Sequence, residues 1–156
     1  MLIRVIAVGT RMPAWVTQAA DDYSGRLPPE IRVEWREVRA EARSGRDSPE
    51  VWMSREAQRI RGALPDGAHL VVLDERGADL DTRGFASRLQ RWQRDARPVA
   101  ILIGGPDGLD PTLKSEAAER IRLSSLTLPH PLVRVIVAEQ LFRAWSVLAH
   151  HPYPRG

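Results

Sequence analysis

Apolar and polar positions follow a recurring rhythm along this chain. Residues 2–9, LIRVIAVG, are a compact apolar run ending in glycine, the pattern of a strand buried on both faces. Pro13 opens a helix in which Trp15, Val16, Ala19, Ala20 and Tyr23 fall near helical spacing, and Pro28-Pro29 ends it. Residues 31–38, IRVEWREV, put Ile31, Val33 and Trp35 on one face and predict a strand. The polar, arginine-rich segment 39–48 predicts a mobile loop. Ser48-Pro49-Glu50 supplies a cap, a first-turn proline and an acid near the positive end of a helix, which runs to Leu64.

The rhythm then repeats. Residues 69–74, HLVVLD, predict a third strand, and 74–82 a turn region in which Asp81 or Thr82 caps the next helix. Phe85, Leu89 and Trp92 form a stripe at i, i+4 and i+7. Residues 98–105, PVAILIGG, predict a fourth strand running into GGPDGLDP. A short helix from Pro111 to Ala118 follows, then a short strand over 121–128 that passes into a loop. A long helix covers 131–149 and HPYPRG is a tail. Strands alternating with helices predict an α/β fold with a mostly parallel sheet. One domain over residues 1–156 is expected, since the chain shows no repeat and no second composition regime.

Composition narrows the classes. The chain has no cysteine, which excludes disulfides, cysteine–zinc sites and a thiol nucleophile, and fits a reducing cytoplasm. No leader pattern is visible at the start, and Arg134, Glu139 and Arg143 interrupt the most apolar stretch, so no membrane partner is expected. Net charge is +3, yet the pI is about 10.1, because the cations are all arginine except Lys114. Guanidinium forks match phosphate geometry, so the balance permits a nucleic-acid partner.

In open α/β sheets, ligands collect at the carboxyl ends of strands. Three such ends stand out: Leu73-Asp74-Glu75, Gly104 through Gly108, and Leu123 through Leu128. IGGPDG lacks the Gly-Lys-Ser/Thr ending of a P-loop and the spacing of a dinucleotide fingerprint, but its glycines allow close approach to backbone groups. LSSLTL offers backbone groups for the edge of a purine and leucines for its faces, or else a plain strand edge. His130 is restrained between Pro129 and Pro131 and reads as either structural or catalytic. His69, His150 and His151 lack metal-ligand spacing, so no metal is expected. No G-x-S-x-G occurs. The last helix is apolar nearly all round and must be covered on two sides, by the sheet and by another subunit.

AVGT at 7–10, LDERG at 73–77, LIGGPDGL, LSSLTLPHPLVRVIVAEQLFRAW and the terminal HPYPR occur in order along the whole chain. Together they resemble the small SPOUT methyltransferases that act on ribosomal RNA. The resemblance implies an α/β fold with a C-terminal trefoil knot, and S-adenosylmethionine held bent among the knot loops. By that analogy Leu73, Gly104 and the run Leu123, Ser124, Ser125, Leu126, Thr127 and Leu128 line the cofactor site. A side chain added at Gly104 is expected to enter the cofactor's space. The resemblance further implies a homodimer with sites at the subunit interface. It implies methylation of N3 of a pseudouridine in large-subunit (23S) ribosomal RNA, on assembled ribosomes.

The proton on N3 needs an acceptor. His130 is one candidate; Tyr153 and His151, on the tail, are others. His151, Tyr153 and Arg155 are expected to position RNA, and Arg134 to reach phosphate or brace the dimer. The family ending is usually His-Pro-Tyr-His-Arg, whereas this chain has Pro154 in place of the second histidine. Two rivals stand: a transfer RNA methyltransferase of the same fold, and a ribosome-associated factor without chemistry.

Overall fold

The computed structural model describes residues 1–43 and 45–153. Its strands are β1 (Leu2–Val8), β2 (Arg32–Val38), β3 (His69–Asp79), β4 (Val99–Ile103) and β5 (Glu119–Arg122). Its helices are α1 (Ala14–Gly25), α2 (Pro49–Ala63), α3 (Thr82–Asp95), α4 (Pro111–Glu116) and α5 (His130–Leu148). The strands form one sheet in the order β2-β1-β4-β3-β5, and every pairing is parallel.

Alternation along the strands builds two apolar layers. Ile3, Val5, Ala7, Val71, Val99, Ile101 and Ile103 face α3 and α5, meeting Ala86, Leu89, Trp92, Val137, Leu141 and Ala144. Ile6, Val8, Val72, Ala100 and Leu102 face the other way, onto Ala57, Ile60 and Ala63 of α2 and Leu113 of α4. Burying a side chain of the Val, Leu or Ile class stabilises by about 1.5–3 kcal/mol each. β4, at the centre, is buried at all five positions. α5 lies beside both α1 and α3, so much of its apolar surface is covered within the chain. Trp15 is half exposed and belongs to no core, while Trp35 is partly buried.

The helix starts follow their caps. Asp81 accepts the Gly84 N–H at 2.7 Å at the start of α3, and Asp110 accepts the Thr112 N–H at 2.9 Å at the start of α4. At the opposite edge of the sheet from the strand ends, Glu119 accepts from Trp92 Nε1 at 2.6 Å and from Arg88 at 2.7 Å, which ties α3 to β5.

Two expectations are corrected. The region 74–82 is not simply a turn, because β3 continues to Asp79. Leu73 and Ala78 both pair with Ile121, so residues 74–77 are looped out of the ladder. Gly77 makes this possible: a Cβ there would lie 2.7 Å from backbone atoms of Arg120 and Ile121. The fifth strand covers 119–122 rather than 121–128. Beyond it the Ser124 hydroxyl accepts the Leu126 N–H at 2.9 Å, a local bond that competes with a sheet ladder.

Candidate functional site

Parallel pairing brings the carboxyl ends of the strands to one edge, and there a cavity of about 640 Å³ opens. Its walls are the looped-out residues after Leu73, the glycine loop after β4, and Arg122 at the end of β5 with the segment 123–128 that follows it. Lys114 of α4 and His130 and Val133 of α5 complete the wall. Leu73, Gly104, Leu123, Ser124, Ser125, Leu126, Thr127 and Leu128 all line it, so the structure brings the residues expected around a cofactor together.

The glycine loop holds its shape by itself. Gly108 N–H donates to Gly105 O at 2.9 Å, and Gly108 adopts φ +86°, where an L side chain is strained. A Cβ on Gly104 would meet the Gly108 carbonyl carbon at 2.8 Å and Leu109 Cγ at 3.0 Å. The need for glycine at 104 therefore comes from close approach of the loop to itself, not from open ligand space. Across the cavity, Ser124 through Leu128 make no backbone–backbone hydrogen bond among the described residues. That leaves their C=O groups, and their N–H groups other than that of Leu126, for a ligand. Leu126 is 74% exposed above them, ready to cover a flat ligand.

This cavity fits an adenosine carrying a short charged chain. Its volume lies in the range of small-molecule sites, about 300–1,000 Å³. Its walls combine leucines, free backbone groups, small hydroxyls and a few charges: Asp74, Glu75, Arg76, Asp107, Lys114 and Arg122. Among the described residues, no group of three or more His, Asp or Glu side chains is arranged to hold a metal ion.

His130 is one of the residues that line the cavity. Its Nε2 lies 3.0 Å from the Val8 carbonyl oxygen, which can only accept, so Nε2 carries the hydrogen and Nδ1 keeps a lone pair. Burial, more than the nearby Arg134 charge, pushes this imidazole below its ordinary pKa, while the bond to Val8 opposes the shift. The ring is therefore neutral at pH 7, with Nδ1 able to accept a proton.

The other expected site residues lie elsewhere. Arg134 is only 4% exposed; it pairs with Glu37 and donates to Gly9 O at 2.9 Å. Expected to reach phosphate or to brace the dimer, its charge is buried and paired within this chain, and it fastens the chain after β1 to α5. Tyr153 packs on Phe142 at 4.5 Å between ring centroids, with the Arg143 guanidinium 5.0 Å from its own ring. Burial and then the Glu139 carboxylate raise the Tyr153 pKa, which keeps the phenol protonated. His151 lies by Trp145 and Phe142 and accepts the Tyr153 N–H at 3.1 Å. Phe142 is 12 positions along α5 from His130, a rise of about 18 Å. His130 and Tyr153 are thus not brought together within one chain. Arg155, also expected at RNA, lies outside the described residues, as does Pro154.

In the arginine-rich stretch after β2, Arg43 is tethered at several points. Arg43 donates to Glu56 of α2 at 2.6 Å and to Asp107 of the glycine loop at 3.0 Å, and its guanidinium lies 5.3 Å from the Trp52 ring. Glu56 is 2% exposed and also accepts the Glu41 N–H at 2.8 Å. Arg43 thereby links the segment after β2 to the cavity wall. Residue spacing carried no sign of it, because the partners are far apart in the chain.

A family model described as "Predicted SPOUT methyltransferase" matches residues 1–154. Curated relatives match end to end. "Ribosomal RNA large subunit methyltransferase H" of Bordetella petrii is 56% identical over 156 residues, all of both chains. The protein of the same name from Burkholderia lata is 53% identical over the same full span. Among solved structures, "Crystal Structure of Probable Methyltransferase from Bordetella pertussis Tohama I" matches with TM-score 0.56 and 19% identity, over 91% of this chain and 95% of that one. "The structure of a probable methylase family protein from Haemophilus influenzae Rd KW20" matches with TM-score 0.57 and 13% identity, over 95% of this chain and 68% of that one. These two structures support the fold alone.

Proposed function

We propose that this chain, which belongs to the SPOUT methyltransferase family, methylates large-subunit ribosomal RNA with S-adenosylmethionine as donor. The observation that carries the reading is the single cavity in which the segment after Leu73, the glycine loop and Ser124 to Leu128 converge. The curated relatives named for the same substrate are similar over their full length. Bound in the cavity, S-adenosylmethionine supplies a methyl group on a sulfonium, already electrophilic.

The chain's own residues then have defined work. Free backbone groups of Ser124 to Leu128 would hold the edge of the adenine, and Leu73, Leu123, Leu126 and Leu128 would cover its faces. The self-closing Gly104–Gly108 loop sets the depth of the pocket. The target is N3 of a pseudouridine, and His130 Nδ1 accepts the proton that leaves N3. Holding two reactants in line contributes about 7–11 kcal/mol of the barrier. A positioned base adds about 10²–10⁴-fold.

The whole chain of 156 residues acts as one unit in this reading, with the C-terminal segments threaded as a trefoil knot. It works as a homodimer on assembled ribosomes in the cytoplasm. Dimerisation is supported by the separation of Tyr153 from its own cavity: a second chain can bring His151, Tyr153 and Arg155 to the RNA beside it. Mass spectrometry of ribosomal RNA from cells lacking this protein tests the reading. Loss of one N3-methyl mark from large-subunit RNA, restored by the wild-type chain, supports it. An unchanged set of marks there, or a mark lost from transfer RNA instead, overturns it.

A further inference from the structure

Among the charges of the cavity wall, Asp74 holds an unusual position. Three carboxylates line the cavity. Asp107 is engaged by Arg43 from outside the wall, and Glu75 stands on the exposed rim. Asp74 is the third, and its side chain is only 5% exposed although it lines the open space. It is the first of the residues looped out of the β3 ladder, so the irregularity is what turns it into the cavity. Its Oδ1 accepts the Arg76 N–H at 3.2 Å. Lys114 Nζ lies 3.7 Å from the same oxygen, beyond hydrogen-bond reach. The pair is therefore open.

Lys114 is notable as well. It is the one lysine in a chain whose other side-chain cations are all arginine. An ammonium is a compact point charge with three rotatable donors, suited to a single carboxylate approached from a fixed direction. The neighbouring wall cation Arg122 is closed onto Asp79 at 2.9 Å. A partly buried ion pair left open beside leucines is costly unless further partners satisfy it. The ligand that satisfies both ends carries an ammonium and a carboxylate on one carbon.

We propose that Asp74 and Lys114 read the α-amino-acid end of the ligand, Asp74 taking its ammonium and Lys114 its carboxylate. The inference rests on the methyl-donor reading and deepens it. It assigns to this cavity a preference for sulfonium or thioether nucleosides that bear an amino acid, over those that end at the thioether.

Calorimetric titration with three probes tests it: S-adenosylmethionine, S-adenosylhomocysteine and 5′-methylthioadenosine, the last lacking the amino acid. The variants are Asp74→Asn and Lys114→Met, each checked by thermal melting. The wild-type chain should bind the two amino-acid nucleosides more tightly than methylthioadenosine. Each variant should weaken both of them about tenfold or more, and leave methylthioadenosine within about twofold. Equal weakening of methylthioadenosine overturns the assignment, because the pair then serves the adenosine or the wall itself. Loss confined to S-adenosylmethionine overturns it too, since Asp74 then senses the charge on sulfur. Unchanged binding of all three overturns it outright. A wild-type chain that binds none of the probes sinks the methyl-donor reading instead, and the inference with it.

Discussion

Single residues carry the sharpest consequences. His130 is held neutral by burial, so acid must protonate it against the fold. As pH falls below the ordinary value of 6.5, the unfolded chain takes up a proton there before the folded chain does. Its contribution is thus full above that value and is lost as pH falls towards the depressed folded value. His130→Asn keeps a donor for Val8 and removes the titration, so its melting temperature should fall less between neutral and mildly acid pH than the wild type's. If His130 Nδ1 takes the N3 proton, the same variant should lower turnover about 10²–10⁴-fold with donor affinity unchanged in titration. Glycines give a second test at this scale. Gly77→Ala sets a methyl against the backbone of Arg120 and Ile121 and should destabilise by about 2–4 kcal/mol, read as a lower denaturation midpoint. An alanine at exposed Gly62, where nothing lies within 4 Å, should not destabilise.

Between elements, the clasp of Arg43 joins the segment after β2, helix α2 and the glycine loop. Arg43→Ala leaves Glu56 buried without its cation, a loss of about 3–5 kcal/mol. Asp107→Ala removes only a partly exposed partner and should cost under about 1 kcal/mol, while loosening the loop and weakening donor binding. Denaturant melts of the two variants check the order; equal losses would mean that Glu56 is not held by Arg43. Elements set by local period were readable from residues alone. β1 and β4 follow from their apolar runs, and α3 from Phe85, Leu89 and Trp92 behind the Asp81 cap. The cavity-lining glycines and LSSLTL stood out by composition, and the family resemblance gathered them into one site. What stayed hidden has no period. The looping out of residues 74–77 depends on Leu73 and Ala78 meeting the same residue of another strand. The burial of Arg134 depends on Glu37, and the clasp of Arg43 on Asp107, 64 positions away. Such pairings exist only once the chain has folded.

At the scale of the whole molecule, Tyr153 and the cavity of one chain are kept apart by the length of α5. A shared site across a dimer makes a clear demand. Mixing a chain crippled in its cavity by His130→Asn with one carrying Tyr153→Ala should restore activity, because one of the two sites in a mixed dimer is then intact. No recovery in a ribosome methylation assay would place the tail's work elsewhere. The order of strands has a consequence for how the chain is made. β1 is synthesised first, yet β4 is one of its two neighbours, pairing Ile3, Val5 and Ala7 with Val99, Ile101 and Ile103. A nascent polypeptide must therefore wait for about two-thirds of its length to emerge before that edge is closed, which favours slow folding. Fragments truncated ahead of residue 98 would carry an open apolar edge, and should aggregate where the finished protein does not.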